Sequence, residues 1–150
     1  MPADSTRAAA PTATTFGKTK EGVDAQLFTL TNAHGLKATI TNFGGTLTSL
    51  LVPDKEGKMG DVVLGFDNLA DYTSDDISEG ETLTSGLLIG RYGNRIAKGK
   101  FSLDGKQYQL PINNAPNSLH GGTTGFNRRL WTATPGTSAD GPDPDAQVLE

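Results

Sequence analysis

Turn-forming residues interrupt this chain every eight to twelve residues, which leaves room for short strands and little room for long helices. Glycine (19) and proline (8) are the main breaks, and together they exceed the ~12% of average usage by about half. Between the breaks, β-branched and aromatic residues form short strand-like runs, several of them alternating with polar residues. The pattern predicts an all-β protein, a sandwich or barrel of eight or nine strands built from antiparallel hairpins.

The clearest hairpin is Phe101 to Leu110. Asp104-Gly105 lies between two alternating runs, and both residues of that turn type adopt φ > 0. The register follows: Leu103 opposite Lys106, Phe101 opposite Tyr108, Gly99 opposite Leu110. Phe101 and Tyr108 then make a cross-strand aromatic pair. A second hairpin runs from Gln26 through the turn Asn32-Ala33-His34-Gly35 to Thr41. Strands are also predicted over Thr46–Val52, ending at Pro53, and over Asp61–Phe66. Asp67 to Asp76 is the one predicted helix, with Asp67 as its cap. The loop from Asn113 to Gly125 is long and rich in Asn and Gly. Phe126 to Thr134 returns to strand character around Trp131, and Gln147 opens a last strand after a Pro/Gly/Asp-rich linker.

Several function classes fall away. No cysteine is present, so disulfide frameworks, thiol catalysis and zinc–thiolate or iron–sulfur sites are excluded. The formal charge of −4 gives no electrostatic footprint for nucleic acid or an anionic membrane. No apolar run approaches the ~20 residues of a spanning helix. Residues 1–15 read as a disordered lead without the apolar centre of an intact signal peptide. The compartment stays open between the cytoplasm and, with a leader removed, the periplasm or exterior. Asp75-Asp76 and Glu79/Glu81 lack the oxygen spacing of an EF-hand, so no metal site is expected. The oligomeric state is not legible.

Two places could carry chemistry. His34 belongs to a tight turn and reads as exposed. His120 sits mid-loop in Asn117-Ser118-Leu119-His120-Gly121-Gly122, where the glycines permit close approach. It is either a loop-locking side chain or a proton donor and hydrogen-bond partner near neutral pH. Gly90-Arg91-Tyr92-Gly93-Asn94-Arg95-Ile96 places two arginines four residues apart, on one face if the segment is a strand. They either pair with the acidic 54–81 stretch or offer a donor fork to hydroxyls or a carboxylate. Extending the hairpin register puts Arg95 opposite Asn114, with His120 six residues beyond. Asn94, Arg95 and His120 can therefore meet at one end of the sheet. Phe126 and Trp131 are either a sugar-stacking platform or core anchors.

These strings, in this order, resemble the aldose 1-epimerase (galactose mutarotase) family. The resemblance runs from about Phe16 to the end and rests on Asn42-Phe43-Gly44-Gly45, on Asp61 to Phe66 with Tyr72, and on Gly90 to Ile96. It rests further on Gly99-Lys100-Phe101, on Asn113 to Gly122, on Gly125-Phe126 and on Trp131. It implies a large antiparallel β-sandwich and a cofactor-free interconversion of the α and β anomers of aldohexoses. Asn94 and Arg95 resemble the family's sugar-hydroxyl binders, and His120 its first active-site histidine, near the ring oxygen. The family's base glutamate and second, acid histidine match no residue here. Residues 16–150 are accordingly expected to be the N-terminal part of a truncated mutarotase-like domain, inactive alone. Two alternatives stand beside this reading. One is a non-catalytic sugar-binding sandwich. The other is a hexose-6-phosphate 1-epimerase, for which Arg91, Arg128 and Arg129 are the candidate phosphate ligands.

Overall fold

The structure, a computed structural model, describes residues 10–74, 86–137 and 147–149. Five strands form an antiparallel meander: β1 (Thr12–Lys18), β2 (Asp24–Thr31), β3 (Lys37–Thr41), β4 (Thr46–Pro53) and β5 (Met59–Asp61), in that spatial order. Polar side chains close two of the turns. Asn32 Oδ1 accepts from the N–H groups of His34 (3.0 Å) and Leu36 (2.9 Å). Asp54 Oδ1 accepts from Glu56 (2.9 Å) and Lys58 (2.8 Å). In both, a short side chain stands in for a backbone acceptor. His34 is exposed on the first of these turns.

Register sorts the sheet into two faces. Phe28 opposes Ile40, and Leu30 opposes Ala38, which opposes Leu50. Side chains alternate along strands, so these apolar rows share one face. The other face carries Leu27–Thr41–Thr46 and Thr29–Thr39–Ser49. Thr41 and Thr46 are fully buried there. Helix α1 (Leu69–Thr73) packs against β1. Its Leu69 is buried, and a methyl group at Gly17 would lie only 2.8 Å from Leu69 Cβ. Gly17, at a bulge in β1, lets the helix approach. Burying one leucine in this way stabilises by about 1.5–3 kcal/mol.

The turn between β3 and β4 holds the sheet to the rest of the chain. Asn42 Oδ1 accepts from Gln26 N–H (2.8 Å), and its Nδ2 donates to the Trp131 carbonyl (3.0 Å). Gly44 N–H donates to Arg129 O (2.7 Å), Trp131 N–H to Asn42 O (2.8 Å) and Leu88 N–H to Gly44 O (3.1 Å). Segments 86–88 and 129–131 are therefore both moored to residues 42–44.

The hairpin β7 (Lys100–Leu103) and β8 (Lys106–Gln109) has the predicted register, with Phe101 opposite Tyr108 and Leu103 opposite Lys106. The two rings stack at 5.1 Å and 11°. Strand β10 (Pro135–Thr137) pairs with β11 (Gln147–Leu149), as expected of the last strand.

Five expectations need correction. Thr12–Thr15, read as part of a disordered lead, belong to β1, where three threonines (Thr12, Thr14 and Thr15) near β2 suit a ladder edge. The strand placed over Asp61–Phe66 ends at Asp61. The Asp61 carboxylate takes the N–H groups of Leu50 (3.0 Å) and Val63 (3.0 Å), so the next pair keeps only the Val62 N–H to Leu50 O bond (3.1 Å) and the ladder stops. The Ser49 hydroxyl first, then the Val63 and Leu50 N–H groups, hold that carboxyl below its usual range. The helix is capped by Asn68 rather than Asp67, through Asp71 N–H at 3.1 Å, and Asp75 and Asp76 lie outside the described residues. Phe126–Thr134 is not a strand: Phe126–Arg128 is a 3-10 turn and Leu130 makes a single bridge to Phe43. Residues 91–94 are a bend, so Arg91 and Arg95 do not share a strand face.

Tyr72 shows how α1 is locked. Its hydroxyl accepts from Phe66 N–H at 2.8 Å, and its ring meets Phe66 edge-on at 5.1 Å. Burial first, then the nearby Asp67 and Asp61, raise its phenol above the ordinary value, partly offset by the Phe66 N–H. Replacing it, Tyr72→Phe, strands the Phe66 N–H and should cost about 1–3 kcal/mol in urea unfolding at pH 7. The unfolded phenol ionises first as pH rises, so the unmodified chain should lose stability from about pH 10 upward. The variant should lose that part of the slope.

Candidate functional site

Two short strands bring the candidates together. Strand β6 (Arg95–Ile96) pairs with β9 (Ser118–Leu119), with Arg95 opposite Leu119 and Ile96 opposite Ser118. One residue beyond the ladder, Asn94 and His120 exchange hydrogen bonds. The His120 N–H donates to Asn94 O at 3.0 Å, and the Asn94 N–H donates to His120 Nδ1 at 3.0 Å. The imidazole thus takes the place of a carbonyl in a continued ladder. A nitrogen that accepts carries no proton, so the neutral ring holds its proton on Nε2. Nε2 has no hydrogen-bond partner among the described residues.

Both residues lie in the left-handed region, Asn94 at φ 61 and His120 at φ 52. That conformation is uncommon outside glycine, and it clusters at functional sites. Arg95 is held on two sides: Nε donates to Asn114 Oδ1 (2.9 Å) and Nη1 to Asn94 Oδ1 (3.2 Å). Both acceptors are neutral, so the guanidinium keeps an uncompensated charge, and Arg95 is not ion-paired among the described residues. The hairpin register pointed to Asn114, and the contact forms through side chains, while the backbone partner of Arg95 is Leu119.

Glycines bring the aromatic wall close to the histidine. Gly121, at φ +92, sits so near Gly90 that a methyl group would strike the Gly90 carbonyl oxygen. A methyl on Gly125 would lie 2.6 Å from His120 O. The same Gly90 oxygen accepts the Phe126 N–H at 3.1 Å. Phe126 meets Trp131 edge-on at 5.1 Å, Trp131 Nε1 donates to Phe126 O at 3.1 Å, and Arg91 lies over the Phe126 ring at 5.7 Å. This wall is part of an open groove of about 1040 Å³. Arg91, Arg95 and Arg129 line it with Tyr92, Phe126 and Trp131, and among the described residues no carboxylate does. Gly121 and Arg95, the neighbours of His120 and Asn94, also reach it.

The remaining candidates separate. Arg128 lines a smaller cavity of about 310 Å³ beside α1, while Arg91 lines the groove and Arg129 both. The three arginines considered for a phosphate therefore do not converge. Asp75, Asp76, Glu79 and Glu81 lie outside the described residues. No motif or spacing marks Asn113 as a site element, and the hairpin register gives Asn114 only a place opposite Arg95. Their signal was the asparagine density of the loop after Pro111.

The sequence profile of the family described as Aldose 1-epimerase matches residues 26–148. Galactose mutarotase from Bos taurus is 50% identical over 97 residues, covering 65% of this chain and 27% of the bovine protein. That from Rattus norvegicus is 45% identical over 121 residues, covering 81% and 34%. The aldose 1-epimerase of Escherichia coli K12 is 33% identical over 111 residues, covering 74% and 30%. Among solved structures, a GalM/aldose epimerase homologue from C. elegans superposes with a TM-score of 0.62 at 40% identity, covering 73% of this chain and 32% of that one. A galactose 1-epimerase from Lactobacillus acidophilus, 24% identical with a TM-score of 0.64 over 86% of this chain and 35% of that one, shares the fold. The chain thus spans between a quarter and a third of the length of these curated relatives.

The glycine packing is open to test by comparing two positions with similar φ. Gly105, at φ +74, has nothing within 4 Å of an added methyl, whereas at Gly121 the Gly90 carbonyl blocks it. Gly105→Ala should cost about 1–2 kcal/mol of conformational strain, a fall in Tm of roughly 2–8 °C for a domain of this size. Gly121→Ala should fall further and shift the His120 and Phe126 amide resonances, which Gly105→Ala should leave in place.

Proposed function

The chain belongs to the aldose 1-epimerase family, and we propose that residues 16–150 are the N-terminal part of a mutarotase-like β-sandwich. The whole protein would interconvert the α and β anomers of aldohexoses such as galactose and glucose, without a cofactor. The supporting observation is the reciprocal Asn94–His120 pair beside the Arg95 fork at the edge of an open groove.

The chemistry needs a base to take the proton from the C1 hydroxyl and an acid to protonate the ring oxygen. The C1–O5 bond breaks as the C1 carbonyl forms, the C1–C2 bond rotates, and reclosure on the other face gives the second anomer. In this assignment Arg95 and the Asn94 carboxamide hold sugar hydroxyls. His120, with Nδ1 occupied by Asn94 N–H, offers Nε2–H to the ring oxygen, an auxiliary role beside the principal acid. Fixed donors aimed at an oxygen that gains charge lower the barrier without reorganising. The principal acid and base are assigned to no residue of this chain.

A second reading draws on the charge of the groove. Arg91, Arg95 and Arg129 line it with no carboxylate among the described residues, which would suit a hexose 6-phosphate. Arg128 points to the other cavity and takes no part in it.

Titration of the ¹⁵N-labelled chain with D-galactose tests the assignment. The amides of Asn94, Arg95 and His120 should shift in a saturable way. Arg95→Lys and His120→Asn should each weaken binding by roughly tenfold, the scale of one hydrogen bond to a charged or strongly polar group. Shifts confined to other regions would remove these residues from the site. Tighter binding of D-glucose 6-phosphate than of D-glucose would favour the second reading. In polarimetry of freshly dissolved α-D-glucose, the 150-residue chain should not exceed the buffer rate; acceleration would show that it holds its own acid and base.

A further inference from the structure

Leu119 stands between the two halves of the site: it is the ladder partner of Arg95 and the residue before His120. Its own N–H and C=O are both taken by one side chain outside the ladder. Asn113 Oδ1 accepts the Leu119 N–H at 2.7 Å, and Asn113 Nδ2 donates to the Leu119 C=O at 3.0 Å. A carboxamide carries one acceptor and one donor side by side, so it can stand in for the missing third strand along this edge. Asn114, the next residue, is fixed by its backbone. Asn114 N–H donates to Asn117 O (3.1 Å), and Asn117 N–H donates to Asn114 O (2.7 Å). Its side-chain oxygen is thereby aimed at Arg95 Nε, 2.9 Å away.

Accepting the sugar-site reading above, we infer that Asn113 and Asn114 are a pair of positioning residues: Asn113 sets the strand that presents His120, and Asn114 sets the plane of the Arg95 fork. Neither is assigned to touch the sugar. The residue type matters at each position. Aspartate at 113 would keep the acceptor for the Leu119 N–H but place a second oxygen against the Leu119 carbonyl. Aspartate at 114 would keep the acceptor that Arg95 needs. Alanine removes the interaction at either position. The neutral amide at 114 also orients the guanidinium without neutralising it, leaving its charge to face the groove.

The test reads position directly, using ¹⁵N NMR of the 150-residue chain. The Arg95 Nε–H signal, identified by its loss in Arg95→Lys, should be dispersed and slow to exchange. In Asn114→Ala it should collapse onto the exposed-arginine signals and exchange about tenfold faster. In Asn114→Asp it should stay dispersed and slow. The two His120 ring nitrogens should show distinct acceptor and N–H shifts. In Asn113→Ala these should converge toward a tautomer average, and in Asn113→Asp they should move in the same direction. The proposal is overturned if Asn114→Ala leaves the Arg95 signal unchanged, if Asn114→Asp fails to preserve it, or if both Asn113 variants leave the His120 shifts where they were. Should Asn113→Ala not fold, Asn113→Asp decides that half and the Asn114 pair decides the other. Parallel titration with D-galactose keeps the two claims apart. Absence of shifts in the unmodified chain would sink the sugar reading, while the ring-nitrogen and Nε–H signals still decide the positioning claim.

Discussion

The site depends on one exchange of hydrogen bonds, Asn94 N–H to His120 Nδ1 and His120 N–H to Asn94 O, both 3.0 Å. It joins two segments that are far apart in the chain. It also fixes three properties together: where the imidazole sits, which nitrogen holds the proton, and where Arg95 leaves the ladder. Two non-glycine residues adopt φ near +50° to +60° to make it. Such conformations cost of order 1–3 kcal/mol each and persist where surrounding structure determines them. Here the surroundings are identifiable: the β6–β9 pairing on one side, and the contact of Gly121 with Gly90 on the other.

The sheet serves this arrangement at a distance. Residues 42–44 hold the chain on both flanks of the site, through 86–88 and 129–131. Gly90 then touches Gly121 and receives the Phe126 N–H, so the aromatic wall and the histidine loop share one carbonyl as a reference point. Small residues are required at those contacts because two backbones approach where a side chain would stand. The groove beside them exposes large apolar side chains, including Tyr92, Phe101 and Leu130. The structural relatives run to about three times the length covered here.

Much of this was legible in the residues, for local reasons. Asp104-Gly105 selects one turn type, and one turn type fixes one register, so Phe101 opposite Tyr108 followed directly. Carrying that register back brought Arg95 to Asn114, although the link is made by side chains. Other features were hidden because a side chain takes the place of backbone. Nothing in the spacing says that the Asp61 carboxylate ends a strand, that Asn68 rather than Asp67 caps the helix, or that Asn113 completes a sheet edge. Asp and Asn in short loops have several backbone partners within reach, and only tertiary context selects among them. The stretch around Trp131 has strand composition, yet its side chains serve to anchor a 3-10 turn. The three threonines of β1 carry too little apolar content to announce a strand, and they are ordered by their neighbour.

The most direct measurement is the scalar coupling across the Asn94 N–H···Nδ1 His120 hydrogen bond in the ¹⁵N-labelled chain. A resolved coupling between the Asn94 amide nitrogen and the His120 ring nitrogen that lacks a proton, lost in His120→Asn, is the predicted result. A coupling to the protonated ring nitrogen, or none while both residues are ordered, would contradict the arrangement from which the site has been built.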